Sequence, residues 1–195
     1  SRLGNGLSTP ITVQNLSGAD IPVGGITAVC VPNQASTVNS NLNLTNNVAV
    51  KNTAGFSWNP VVDNSIPAGF QGSCTITTGS AQTVAFVQMR FIGSDNAAAY
   101  EALNGNATDT TAVIPLVLKR LPNGFATAVT ISNFGSQPAN VTLTYKASAE
   151  APAGLTCSAT FNLSIPVGGS IVQNHRVANG VTNAVPQISD GCTSS

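Results

Sequence analysis

Cys30, Cys74, Cys157 and Cys192 are the residues of this 195-residue chain most suited to chemistry, and their spacing favours oxidation to disulfides. No two of them form a Cys-X-X-Cys pair, and the single histidine, His175, has no cysteine beside it, so the ligand spacing of a zinc site is absent. Four cysteines allow three connectivities. The internal repeat described below selects Cys30 with Cys74 and Cys157 with Cys192 as the expected pairs. Each bridge then closes a loop of 35 to 44 residues and contributes on the order of 3 to 4 kcal/mol through chain entropy. Disulfides imply an oxidising, extracytoplasmic compartment, so the expected location is extracellular or at a cell surface.

Other reactive constellations are thin. A hydrolase triad would have to use His175, with Ser170 and Asp190 as its nearest partners in sequence. The plainer expectation is a solvent-exposed histidine on a strand or loop. Asp95, Glu101 and Asp109 lie around the connector, where a calcium site is conceivable, but capping and solvation are the plainer expectation. Gly24-Gly25 and Gly168-Gly169 read as turns, not as phosphate-binding loops. The expectation is therefore a chain without catalytic residues, cofactor or metal. Five Asn-X-Ser/Thr sequons, at Asn15, Asn43, Asn106, Asn140 and Asn162, are candidate glycan sites in an exported protein.

The elements that position these residues come in two copies. Laid 118 positions apart, Arg2, Leu3, Asn5, Gly6, Thr9, Thr12 and Asn15 meet Arg120, Leu121, Asn123, Gly124, Thr127, Thr130 and Asn133. Seven identities in fourteen positions is far above the roughly one expected from average residue usage. Cys74-Thr75 falls on Cys192-Thr193 at the same offset, so the register persists along one whole unit. Cys30 and Cys157 lie in neighbouring inward-facing strands, from which either can reach that shared acceptor position.

Composition bounds the partners. Only 7% of residues are charged, the net charge is zero, and no basic run exceeds Lys119-Arg120, which disfavours nucleic acid and anionic membranes. The longest apolar run, residues 112–118, is too short to span a bilayer. Solubility must come from hydroxyls and amides, as suits a protein held in an assembly or coated with sugar.

Strand-like alternation recurs at residues 7–15, 26–30, 74–78, 126–133, 140–147 and 157–165, with turn signals between. Residues 83–91 are apolar on both parities, and Pro115 places residues 112–118 at a sheet edge or bulge. Trp58 is expected in the first core, with an exposed sugar-stacking platform as the alternative. Residues 95–105, DNAAAYEALNG, predict one short helix capped by Asp95 and closed by Gly105. The pattern predicts an all-β chain of two tandem immunoglobulin-like antiparallel β-sandwich domains. They occupy residues 1–93 and 112–195, with residues 94–111 as a connector containing the short helix. Copy one is expected to lack its opening strand and copy two its closing one.

The succession IPLVLK, NGFATAVTISNFG, ANVTLTY, a Gly-Gly turn, IPAGFQGSCTIT and SAQTVAFVQ resembles tandem immunoglobulin-like repeats of secreted and surface proteins in filamentous bacteria. That resemblance implies surface architecture or adhesion and brings no catalytic residue with it. The leading expectation is a structural subunit that joins copies of itself head to tail through its open sheets, forming a filament or surface layer. The alternative is a secreted carbohydrate-binding or adhesin module that stacks a surface polysaccharide on Trp58 or Tyr100. Neither expectation involves nucleic acid or membrane insertion.

Overall fold

The computed structural model describes residues 3, 4, 6–93, 97–105, 109–177 and 188–194. Every regular element among them is an antiparallel β-strand. The chain divides into two compact units, Ser1–Ala107 and Thr108–Ser195.

Unit 1 builds one core from two sheets. The first sheet runs β5 (Gly55–Trp58), β2 (Ile11–Asn15), β7 (Thr83–Phe91) and β8 (Ala97–Glu101), with β1 (Leu7–Ser8) pairing the far end of β7. The second runs β4 (Leu42–Thr45), β3 (Thr27–Pro32) and β6 (Gly72–Thr77). Alternation decides which side chains enter the core: Ile11 and Val13 from β2, Trp58 from β5, Ala28 and Cys30 from β3, and Leu44 from β4. Trp58 is buried, donates its indole N–H to the Thr45 carbonyl at 3.2 Å and meets Phe56 edge to face.

Unit 2 pairs its strands two by two among the described residues. β10 (Ala128–Ser132) pairs β13 (Ser170–Asn174), and β11 (Ala139–Tyr145) pairs β12 (Ala159–Ile165). β9 (Val117–Lys119) pairs β14 (Cys192–Ser194), which also bridges Ala147 through Ser194. β9 starts two residues after Pro115, because a proline cannot donate to the ladder. The core gathers Val117, Tyr145, Cys157, Ile188 and Cys192, with Val129, Leu143 and Phe161 half-buried against it.

The structure joins Cys30 to Cys74 and Cys157 to Cys192. These are the pairs expected from the repeat. Cys30 and Cys74 face one another on the adjacent strands β3 and β6 of one sheet. Cys157 lies just ahead of β12 and meets the first residue of β14.

A buried asparagine marks the repeat atom by atom. Asn15, fully buried, donates from Nδ2 to the carbonyls of Ala19 (2.7 Å) and Val50 (3.1 Å), and its Oδ1 accepts the Ser17 N–H (3.0 Å). Asn133 donates to Gln137 (2.8 Å) and Ile165 (3.1 Å) and accepts the Gly135 N–H (2.8 Å). In both copies the amide pins the turn after the strand to a second, distant backbone segment. Their own carbonyls accept from Thr53 and Gly168 at the matching turn.

The expected helix is not there. Residues Ala97–Glu101 form β8, antiparallel to β7 in the register Val87↔Tyr100 and Met89↔Ala98, and the Ala102 N–H donates to the Ala85 carbonyl at 2.8 Å. Two helical turns are too few to be stable alone. The nine-residue β7, in contrast, offers a long row of backbone groups that pairing satisfies. The proposed cap, Asp95, lies outside the described residues.

Replacing Asn15 by alanine removes its bonds to Ala19, Val50 and the Ser17 amide, and replacing Asn133 removes those to Gln137, Ile165 and the Gly135 amide. Each substitution is expected to cost about 2 kcal/mol, read from urea denaturation with the disulfides intact. A change smaller than about 0.5 kcal/mol would mean that the clamp does not hold the turns.

Candidate functional site

β2 and β10 are repeat equivalents, and they differ in one respect. β2 has strands on both sides, with β5 in the register Ile11↔Trp58 and β7 in the register Ile11↔Val87 and Val13↔Ala85. β10 has β13 on one side, and among the described residues no strand lies on the other. The bonds of Thr127 and Asn133 to the β13 side fix the parity of the edge. That alternation directs the backbone groups of Ala128, Thr130 and Ser132 away from β13. Their counterparts in unit 1 face β7: Leu16 donates to Gln82 at 2.8 Å, and Gln88 donates to the Pro10 carbonyl at 3.1 Å.

Side-chain burial follows. Ile11 and Val13 are buried, whereas Val129 and Ile131 are half-buried. Beside Val129 a groove of about 330 Å³ opens, with Val113, Ile114, Val117 and Leu143 as its apolar wall and Thr142, Thr144 and Lys146 as its polar one. No charged residue occurs between Arg120 and Lys146, so the edge carries no lysine or glutamate to repel a neighbouring strand. Unit 1 shows the converse at its other sheet: β14 has β9 beside it, while the matching edge of β6 has no strand among the described residues. Among the described residues the outer edges of β5 and β13 are both without a neighbour and so do not distinguish the units.

Unit 2 also holds a buried polar cluster. His175 is fully buried, not solvent-exposed as its sequence context predicts. Its Nδ1 lies 2.8 Å from the Thr127 carbonyl, which can only accept, so Nδ1 carries the proton. Nε2 then accepts from the Tyr145 hydroxyl at 2.8 Å. Burial lowers the His175 pKa below the ordinary histidine range; the Thr127 hydrogen bond opposes the shift and the Lys119 charge adds to it. Burial likewise raises the Tyr145 pKa, keeping the hydroxyl protonated as the donor.

Lys119 is fully buried as well. Its Nζ donates to the Val177 carbonyl at 2.6 Å and lies 3.9 Å from the Asp190 carboxylate, which Arg120 also approaches at 3.5 Å. Burial lowers the Lys119 pKa, against the pull of Asp190. The parity of β9, with Val117 and Lys119 inward and Leu118 between them, was the available signal for this buried lysine. No sequence signal marked the Tyr145–His175 contact.

Ser170, His175 and Asp190 do not form a triad. Ser170 sits at the opposite end of β13 from His175, opposite Ser132, and Asp190 faces Lys119 and Arg120. No group of three or more His, Cys, Asp or Glu side chains able to hold a metal occurs among the described residues. Of the sequons, Asn43, Asn140 and Asn162 are exposed, Asn162 accepting a hydrogen bond from Thr142 at 3.1 Å. Asn15 is corrected as a glycan site, since its buried amide is fully engaged. Asn106 lies outside the described residues. In comparisons with family models, curated proteins and solved structures, nothing matches the chain.

The unfolded chain takes up a proton on His175 at the ordinary pKa of 6.5, before the folded chain does. Stability is therefore complete above that pH and falls as pH drops through it, by up to about 1.4 kcal/mol per pH unit. Unit 2 of the His175→Gln variant is expected to show a flatter acid limb in denaturation at graded pH. An unchanged slope would assign the acid sensitivity to other groups.

Proposed function

We propose that this chain is an extracellular structural protein, built of two immunoglobulin-like repeats, that joins copies of itself end to end into a filament or surface layer by strand sharing or domain contacts. The observation that carries this reading is the edge of β10, which has no strand beside it among the described residues where its repeat equivalent β2 is covered by β7. An uncovered edge beside half-buried apolar side chains and an apolar groove is a template for pairing with another chain. A pairing surface on one unit that meets a different surface on the next molecule propagates without closing.

Two disulfides favour an oxidising exterior. No helix among the described residues is long and apolar enough to cross a membrane. The low charge suits a chain packed against its own kind. The resemblance to tandem repeats of secreted proteins in filamentous bacteria points the same way, as does the paired-sheet plan of unit 1. Exposed sequons at Asn43, Asn140 and Asn162 would put glycan on the outside of such an assembly.

A polysaccharide-binding module is the second reading. Trp58 is buried and cannot serve it, so it rests on the exposed ring of Tyr100. Electron microscopy and sedimentation of the oxidised chain over a range of concentrations separate the two. Polymers of uniform width are expected, and a monodisperse monomer at every concentration, with Tyr100 fluorescence responding to glycans, would reverse the preference.

A further inference from the structure

We propose that the strand which covers β10 is β8 of a second copy of this chain, laid antiparallel with Tyr100 seated in the groove beside Val129. The inference rests on the assembly reading above and names the two surfaces that meet.

Unit 1 supplies the template for what this edge accepts. β7 lies antiparallel on β2, placing Ala85 beside Val13 and Val87 beside Ile11. Both inward side chains pack on the core. The acceptor thus takes a small residue followed two positions later by a larger apolar one. Carried over by the repeat, the small residue belongs beside Ile131 and the larger one beside Val129.

β8 carries that pattern on a free edge. It pairs β7 on one side, and among the described residues nothing pairs its other side. Cross-strand partners share a face, so Tyr100, opposite Val87, and Ala98, opposite Met89, lie on the core side of the sheet. The Ala102 N–H bond to Ala85 sets the parity. It turns the backbone groups of Ala97, Ala99 and Glu101 outward. These three positions match the three outward positions of β10, Ala128, Thr130 and Ser132.

An antiparallel register satisfies both requirements at once. Ala97 faces Ser132, Ala99 faces Thr130 and Glu101 faces Ala128 as hydrogen-bonded pairs. Ala98 then stands beside Ile131 and Tyr100 beside Val129, repeating the order of Ala85 and Val87. Both strands have five residues, and Glu101, at the strand end, is the single charge on either. Tyr100 is half-exposed with no aromatic partner among the described residues, and the groove of about 330 Å³ that Val129 lines has room for its ring.

Each molecule then has one donor edge in unit 1 and one acceptor edge in unit 2, and this polarity gives a sharp test. Ala99→Pro removes an outward amide from the donor, and Thr130→Pro removes one from the acceptor. Among the described residues both substitutions fall where no backbone bond within the unit is lost. At a concentration where the unaltered chain polymerises, each variant alone should remain monomeric in sedimentation. An equimolar mixture should stop at dimers, because only one productive contact exists between them.

Should a proline variant fail to fold, judged by near-ultraviolet circular dichroism, single-cysteine variants replace it. Tyr100→Cys mixed with Val129→Cys should give a disulfide-linked dimer under mild oxidation, whereas either variant alone should not. Folded proline variants that polymerise like the unaltered chain would overturn this interface and leave assembly standing. A chain that never polymerises would remove the assembly reading itself. A double-cysteine chain that cross-links only within itself would place β8 on its own β10 and overturn the intermolecular contact.

Discussion

A strand inside a sheet needs a neighbour on each side, because every backbone amide and carbonyl withdrawn from water must be bonded again. β2 meets this condition with β5 and β7, and the side chains beneath it are sealed. β10 meets it on the β13 side alone among the described residues, and Val129 and Ile131 stay half in water. At this strand the same repeat thus exists with both neighbours in one unit and, among the described residues, with one in the other. The completed copy specifies what the other requires, in register and in side-chain size.

The interiors of the two units depart from one another in the same sense. Unit 1 closes around Ile26, Ile66, Phe70 and Trp58, all buried. Unit 2 spends interior volume on Tyr145, His175 and Lys119, each with its polar atoms bonded. Buried polar groups of this kind add little net stability but tolerate few alternative packings. In a unit whose apolar core is only partly sealed, they hold β9, β11 and the end of β13 in a single arrangement. The asparagine clamps do the equivalent for the turns, which explains why Asn15 and Asn133 recur at the same place in both copies.

Much of this was legible in the sequence. The offset of 118 between Arg2 and Arg120 announced the duplication, alternation placed most strands, and the split of the cysteines gave the pairs that the structure contains. Local propensity failed where tertiary context overrode it: the alanine-rich run at Ala97–Glu101 reads as helix, but the exposed flank of β7 recruits it as a strand. His175 was misplaced for a related reason. A polar residue gives no hint of burial when its partners, Thr127 and Tyr145, lie 48 and 30 residues away in sequence. Asn15 sits in a sequon that only the folded turn shows to be occupied.

The disulfides have a mechanical consequence. Tension applied along the chain passes directly from Cys30 to Cys74 and from Cys157 to Cys192, so the loops between them bear no load. Sequence separations of 44 and 35, at about 3.5 Å per residue, amount to roughly 280 Å of contour that pulling cannot release. A polymer of such units would therefore stretch by only part of its unfolded length before its covalent backbone took the strain.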